Sequence, residues 1–499
     1  MSAVNSTLKV ALLHLAVERG QPDQNLANLL AMAERAAEMG ARLIVAPEMA
    51  LSGYCFEDRE SLWPHARTAR GSVVTALRGL ARRRGVYLVV GLAEREEPSQ
   101  ILFNSAFFLD DQGQIMGRAR KINSESRWAC PGPQIQANVW PTPWGRVGIL
   151  ICADTWNSLI VRITALKGAE MLIVPANWPA AGLDPRDLWR FRAQENGLWL
   201  VACNRTGAES NLDCQAAVSC AYDPYGEELF RGQSLSSEIF FVELPLDANG
   251  QLDTQRRREI LANRTPWFYH RLYGNFTGIR DLTGFLKLPP PGPLRLWFHL
   301  GEPESVESEL AQVEAAEPGI PTLILLPPGE REAAELESLD RLARPRGLLT
   351  VGLQGERHFL GELTGEKVGR AEGLYLFDYG SARIWLARPE EIIQPEAAIA
   401  AAKSGADLAI CFLDRLTPAW RRLALLRPID QLVTVLVARD EASLGHLWVG
   451  HEAGQSLSVG PGESLGSLVD TGGTRDKRFQ DRLDFAALFQ AEPGSARLF

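Results

Sequence analysis

The chain has 499 residues, 46% hydrophobic and 23% charged, an ordinary globular composition that excludes a disordered protein. Its 61 acidic and 52 basic residues leave a net charge of -9 with no long basic run, so neither nucleic acid nor an anionic membrane surface is an expected partner. Seven cysteines, at positions 55, 130, 152, 203, 214, 220 and 411, contain no CxxC pair, which argues against a disulfide framework or zinc site and for a reducing, cytoplasmic compartment.

The opening run Leu8–His14 reads as a strand; it is too short and too charged for a signal segment. No stretch of about 20 apolar residues follows, so no transmembrane span is expected. Helical periodicity over 25–40 (Leu26, Leu29, Leu30, Met32, Ala33, Ala36) precedes a strand over Arg42–Glu48. A second helix over 73–84 leads to the strand Val86–Gly91. A hairpin is expected from 101–109 and 115–121, joined by the polar turn Asp110-Asp-Gln-Gly113. The apolar run Val147–Ile151 ends abruptly in Cys152 and Asp154; a helix over 160–167 and a strand over 171–175 come next.

Cys152 is the focus of the reading. A lone cysteine on an apolar strand is usually a small hydrophobe. A reactive one needs a base or a cation, because a thiol is mostly protonated at neutral pH. Glu48 and Lys121 supply both, each where a strand turns into a loop, the edge of an α/β sheet at which sites are built.

These residues resemble the nitrilase, or carbon-nitrogen hydrolase, superfamily, whose signature is a Glu, a Lys and a Cys in that order. The matching pieces are Ala46-Pro-Glu48 with Ser52-Gly-Tyr54, Arg120-Lys121, Ile151-Cys-Ala-Asp154, Leu172–Asn177, Arg192–Asn196 and Asn204–Gly207. A second glutamate, Glu125, stands ahead of Trp128 with the family's spacing. The resemblance implies an αββα sandwich and a metal-free, cofactor-free amide hydrolysis. In it Cys152 attacks, Glu48 moves protons, Lys121 and the N–H after Cys152 hold the oxyanion, and Glu125 orients Lys121 and the substrate nitrogen. By position, Tyr54, Trp128, Trp156, Asn177 and Trp178 are expected to line the pocket. Ala153 and Asn157-Ser-Leu159 depart from the aromatic and the Phe-Pro-Glu triplet found in many relatives, which bears on the substrate. The expected substrate is a small amide or N-carbamoyl compound, with a nitrile or a non-catalytic binding role as alternatives. A glutamine-fed synthetase is set aside for want of a Ser-Gly-Gly phosphate loop in the second half.

The segment Lys287–Pro293, rich in proline, reads as a linker between residues 1–286 and 294–499. Beyond it the order of segments repeats in degraded form. Leu294–Leu300 mirrors the first strand, Pro321–Pro327 the glutamate strand, Gly365–Ala371 the segment Gly113–Ala119, and Ser404–Ile410 the segment Lys167–Ile173. In this alignment Pro328, Gly373 and Ala387 stand for Glu48, Lys121 and Cys152. The expectation is two tandem α/β copies, an active first domain and a spent second one, forming an intramolecular pseudo-dimer, with further homo-oligomerisation left open.

Overall fold

In the computed structural model the described residues are 7–180, 184–276, 278–299, 311, 319–328, 337, 340–343, 348–354, 357–360, 370–371, 374–445, 456–460, 464–475, 477, 479 and 483–489. The chain divides into two compact units, Met1–Asn263 with Arg482–Phe499, and Arg264–Asp481. The proline segment 287–293 thus lies inside the second unit rather than between the two.

In the first unit, β1 (Thr7–His14) is followed by α1 (Pro22–Glu38), β2 (Leu43–Val45), α2 (Ser72–Arg84), β3 (Tyr87–Arg95), β4 (Leu102–Leu109) and β5 (Ile115–Arg120). Then come β6 (Val139–Thr142), β7 (Gly145–Ile149), α3 (Ser158–Leu166), β8 (Met171–Pro175), α4 (Pro185–Asn196) and β9 (Trp199–Cys203). The hairpin β10 (Ala208–Glu209) and β11 (Leu212–Asp213), then β12 (Ser219–Tyr222), β13 (Glu228–Gly232) and β14 (Glu238–Pro245), complete the strands. Two six-stranded sheets result, ordered β14-β1-β2-β3-β4-β5 and β13-β12-β9-β8-β7-β6. They face each other through β1 against β9 and β3 against β8. Helices α1 and α2 bury Leu29, Met32, Ala33, Leu77 and Leu80 against the first sheet. On the second, Gly148 of β7 lets α3 approach so closely that a Cβ there would stand 2.6 Å from Thr164. This is the expected αββα layering.

The parallel core strands are apolar throughout: β2 reads Leu-Ile-Val and β8 Met-Leu-Ile-Val-Pro, every residue buried. Their ends carry the polar residues. Far along the chain, the short helix Phe485–Leu488 packs on α3, with Leu488 fully buried and Asp484 paired to Lys167 at 2.9 Å. Sequence periodicity gave no hint of that segment.

The second unit has β15 (Pro293–His299), β16 (Thr322–Leu325), β17 (Leu348–Gln354), β18 (Arg357–Leu360), β19 (Arg370–Ala371), β20 (Leu374–Tyr379), β21 (Ala382–Ala387), α5 (Pro395–Lys403) and β22 (Leu408–Leu413). It continues with α6 (Pro418–Leu426), β23 (Val433–Ala438), β24 (Ala442–Gly445), β25 (Ser456–Val459) and β26 (Ser464–Asp470). Its sheets run β18-β17-β16-β15-β26 and β19-β20-β21-β22-β23-β24-β25. Strand by strand, β26-β15-β16-β17-β18 has the same order and the same parallel and antiparallel pairings as β14-β1-β2-β3-β4. So does β20-β21-β22-β23-β24-β25 beside β6-β7-β8-β9-β12-β13.

The ladders correct one position of the sequence alignment. Val147 pairs with Met171 and Ile384 with Leu408, so Ala387 corresponds to Leu150, not to Cys152. The residue that opens the following helical turn, as Cys152 does, is Pro389. Matching the two turns by their glycines, Gly145 with Gly380, puts the alignment two residues out of step, because Gly145 pairs with Thr142 as Ala382, not Gly380, pairs with Tyr379. Pro328 keeps its place: Leu326 N–H bonds the Val351 carbonyl as Ala46 N–H bonds that of Val89, two residues before Pro328 and Glu48. Gly373 lies outside the described residues.

Candidate active site

Three chain reversals at the ends of β2, β5 and β7 bring Glu48, Lys121 and Cys152 together. Glu48 is fully buried and Lys121 is 2% exposed, yet the Nζ of Lys121 donates to Glu48 Oε1 at 2.6 Å. Two buried charges in contact need further hydrogen bonds to offset desolvation. Glu48 has them: Asn104 Nδ2 donates to Oε1 at 2.6 Å and the Asn177 N–H to Oε2 at 2.9 Å. Gly91 on β3 makes room, since a Cβ there would lie 2.4 Å from the Pro47 carbonyl and 2.6 Å from Glu48 Cα.

Cys152 begins a tight helical turn, Cys152–Trp156, with a φ of 46°, in the left-handed region that a cysteine rarely occupies. The strand therefore stops and turns its thiol aside, out of the strand's alternation. Thr155 Oγ1 donates to the Cys152 carbonyl at 2.7 Å and receives Trp189 Nε1 at 3.1 Å, pinning the turn to α4. Burial, and then the Glu48 carboxylate beside it, pushes the thiol well above the ordinary cysteine range, while Lys121 pulls the other way. Burial therefore favours the protonated thiol. For Lys121 burial favours the neutral amine, but Glu48, Tyr54 and Cys152 outweigh it and hold the ammonium well above the usual lysine range.

Asp154 ties two of the reversals together. Its carboxyl accepts the N–H groups of Ile122 at 3.0 Å, Asn123 at 2.8 Å and Ile151 at 3.3 Å, so the loop after Lys121 is fixed to the turn that carries Cys152. Burial raises it from 3.8 to about 6, against the opposing bond from Asn123 and the charge of Lys121.

Among the expected pocket residues, Tyr54 places its hydroxyl 3.4 Å from Lys121 Nζ and meets Trp128 edge-on, with ring centroids 5.4 Å apart. Trp156 and Trp178 stack at 6.2 Å. Asn177 joins the site through its backbone, and its side-chain Nδ2 and Oδ1, both buried, have no protein partner. Glu125 stands apart: its carboxylate is half-exposed and bonds Arg127 at 3.1 Å, which holds it below the usual carboxylate range. Lys121 Nζ is hydrogen-bonded to Glu48 and Tyr54, and Glu125 feels its charge without such a bond.

Sequence reasoning missed several residues that shape the site. Asn104 is one of two polar residues in the wholly buried strand Leu102–Leu109, and that anomaly was its available signal. Glu209 on β10 accepts the N–H of Tyr54 at 3.0 Å and of Cys55 at 2.8 Å, anchoring the loop that carries Tyr54. Asn204 clamps Trp178 through both backbone groups, at 3.0 and 2.9 Å. Among the described residues there is no cluster of three or more metal-ligating side chains, and no helix long and apolar enough to cross a membrane.

The buried Glu48–Lys121 pair thus lies beside a cysteine held in a strained turn. Residues 9–253 match the carbon-nitrogen hydrolase family. The chain is 31% identical over 270 residues to a nitrilase of Pyrococcus abyssi, covering all of that protein and 53% of this one. It is 34% identical over 256 residues to an (R)-stereoselective amidase of a Pseudomonas species, covering 88% of the relative and 50% of this chain. A citrullinase of Francisella tularensis is 29% identical over 260 residues, 88% of its length and 48% of this chain. Among solved structures, an amidase from Nesterenkonia sp. aligns at 26% identity over 99% of its chain and 53% of this one, with a TM-score of 0.44. The chain belongs to the carbon-nitrogen hydrolase family and is an enzyme acting on carbon–nitrogen bonds.

Proposed function

We propose that the first unit is a cysteine-dependent amidohydrolase that cleaves a primary amide or N-carbamoyl group through a thioester and releases ammonia. The observation that carries this reading is the Glu48–Lys121 pair, 2.6 Å apart, buried against Cys152. Because burial favours the protonated thiol, its proton leaves as the sulfur attacks, and Glu48 is the adjacent base. The carbonyl electrons move to oxygen, where the Lys121 ammonium and the Ala153 N–H, which follows Cys152, stabilise them. Lys121 has three donors, one bonded to Glu48 and one near Tyr54, which leaves one for the substrate oxygen. The intermediate collapses, the C–N bond breaks, and Glu48 returns the proton to the departing nitrogen. Water that has given its proton to Glu48 then cleaves the thioester, yielding the acid and the free thiol.

Tyr54, Trp128, Trp156, Asn177 and Trp178 are the proposed pocket, with a partly apolar acyl group against the aromatic rings. For Glu125 to orient Lys121 and the substrate nitrogen it must first exchange its bond to Arg127. Relatives named amidase, citrullinase and N-carbamoylputrescine amidase support the amide and carbamoyl classes. A relative named nitrilase keeps a nitrile as the second reading. The second unit is proposed to be a spent copy of the first, as its repeated strand order suggests, with prolines where Glu48 and Cys152 would stand. The test is ammonia release from a panel of primary amides, N-carbamoyl amino acids and nitriles, with Cys152→Ala as control. Release by the parent chain alone supports the reading and names the substrate class. Equal release by both overturns the thiol mechanism.

A further inference from the structure

Glu48 has two oxygens in different surroundings. Oε1 receives two donors, Lys121 Nζ and Asn104 Nδ2, both at 2.6 Å, and an sp² oxygen has two lone pairs to give. Oε2 receives the Asn177 N–H at 2.9 Å and keeps one lone pair. The backbones of the two residues are also joined, the Asn104 main-chain carbonyl accepting the Lys121 main-chain N–H at 2.8 Å. The residue is fully buried on β4, opposite Ala93 and two places from the Gly91 position that admits Glu48. An amide in the middle of a buried apolar strand is costly unless it is bonded, and here its donor serves one partner, the carboxylate.

We infer that Asn104 is a positioning residue that saturates Glu48 Oε1 together with Lys121, so that every proton transfer of the reaction runs through Oε2. This rests on the proposed function, and it deepens it. The proton leaves Sγ for the free lone pair of Oε2 as the S–C bond forms. It returns from the same oxygen to the leaving nitrogen as the C–N bond breaks. Without Asn104 the carboxylate can turn about its last bond, and the base is no longer held in one orientation toward the thiol.

The experiment uses Asn104→Ala, which removes the donor and leaves space, and Asn104→Leu, which removes it and keeps most of the volume. For each, kcat and KM for the best amide are measured per folded molecule, together with the rate of Cys152 alkylation by iodoacetamide. Glu48→Gln and Cys152→Ala are run alongside. The inference predicts that both Asn104 variants lose kcat by about 10- to 100-fold, part of what a general base supplies, with KM within about threefold and alkylation slowed in step. It is overturned if either Asn104 variant folds and keeps kcat within about twofold of the parent chain, or if KM alone changes. If Glu48→Gln and Cys152→Ala remain active, it is the functional reading itself that fails.

Discussion

Replacing Lys121 by methionine leaves the Glu48 carboxylate buried with its cation gone. The pair is 2.6 Å apart with side chains 2% and 0% exposed, so water does not replace the lost partner. Breaking such a pair from one side costs about 3–5 kcal/mol. For a unit of this size that is roughly 6–20 °C in Tm. Adding Glu48→Gln removes the orphaned charge. The glutamine carbonyl can still accept Asn104 at the Oε1 position, while its amide faces the Asn177 N–H and leaves that donor unpaired, about 1–3 kcal/mol. Lys121→Met should therefore be less stable than the Lys121→Met/Glu48→Gln double variant by about 2 kcal/mol, although the double variant carries more changes. Urea unfolding followed by tryptophan fluorescence measures both. A single variant within about 1 kcal/mol of the parent chain, or a double variant no more stable than the single, refutes the reasoning.

Other consequences follow from the same geometry. Asp154 is raised from 3.8 to about 6, so the folded state holds a proton that the unfolded state has lost between those values. Its contribution is thus fully present below pH 3.8 and lost as pH rises through about 6, a decline of about 3 kcal/mol that Asp154→Asn lacks. The stability difference between the two proteins, followed from pH 4 to 7 in urea, should fall; a flat or rising difference contradicts it. Leu488→Ala, in the short helix against α3, should cost about 2–5 kcal/mol in the unfolding of the first unit, and no loss would deny that this distant segment belongs there. Gly91→Ala drives a methyl into the backbone of Pro47 and Glu48, so activity should drop at least about tenfold for about 1–3 kcal/mol of lost stability; unchanged activity would mean that the Glu48 strand is free to shift.

Glu48 and Cys152 stood out in sequence because each closes a hydrophobic run and Lys121 because it ends an extended segment, and the layering was legible because the helical and strand periods alternate. The partners that make the site work were not. Glu209 lies 155 residues from Tyr54, and Asn104 lies 56 from Glu48, separations across which no periodicity carries information. Glu125 was read by spacing alone, and spacing does not reveal that its neighbour Arg127 takes up its carboxylate. The similar order of segments in the second half was visible in sequence, but the register of β21 was not, since only the ladder with β22 counts its residues.

The most direct test of the account is intact-mass spectrometry of the enzyme quenched in acid during turnover of an amide it hydrolyses. The account predicts a mass increase equal to the acyl group, carried on the peptide that contains Cys152 and absent from Cys152→Ala, which also releases no ammonia. Ammonia release by Cys152→Ala at the parent rate, with no adduct on either protein, would contradict it.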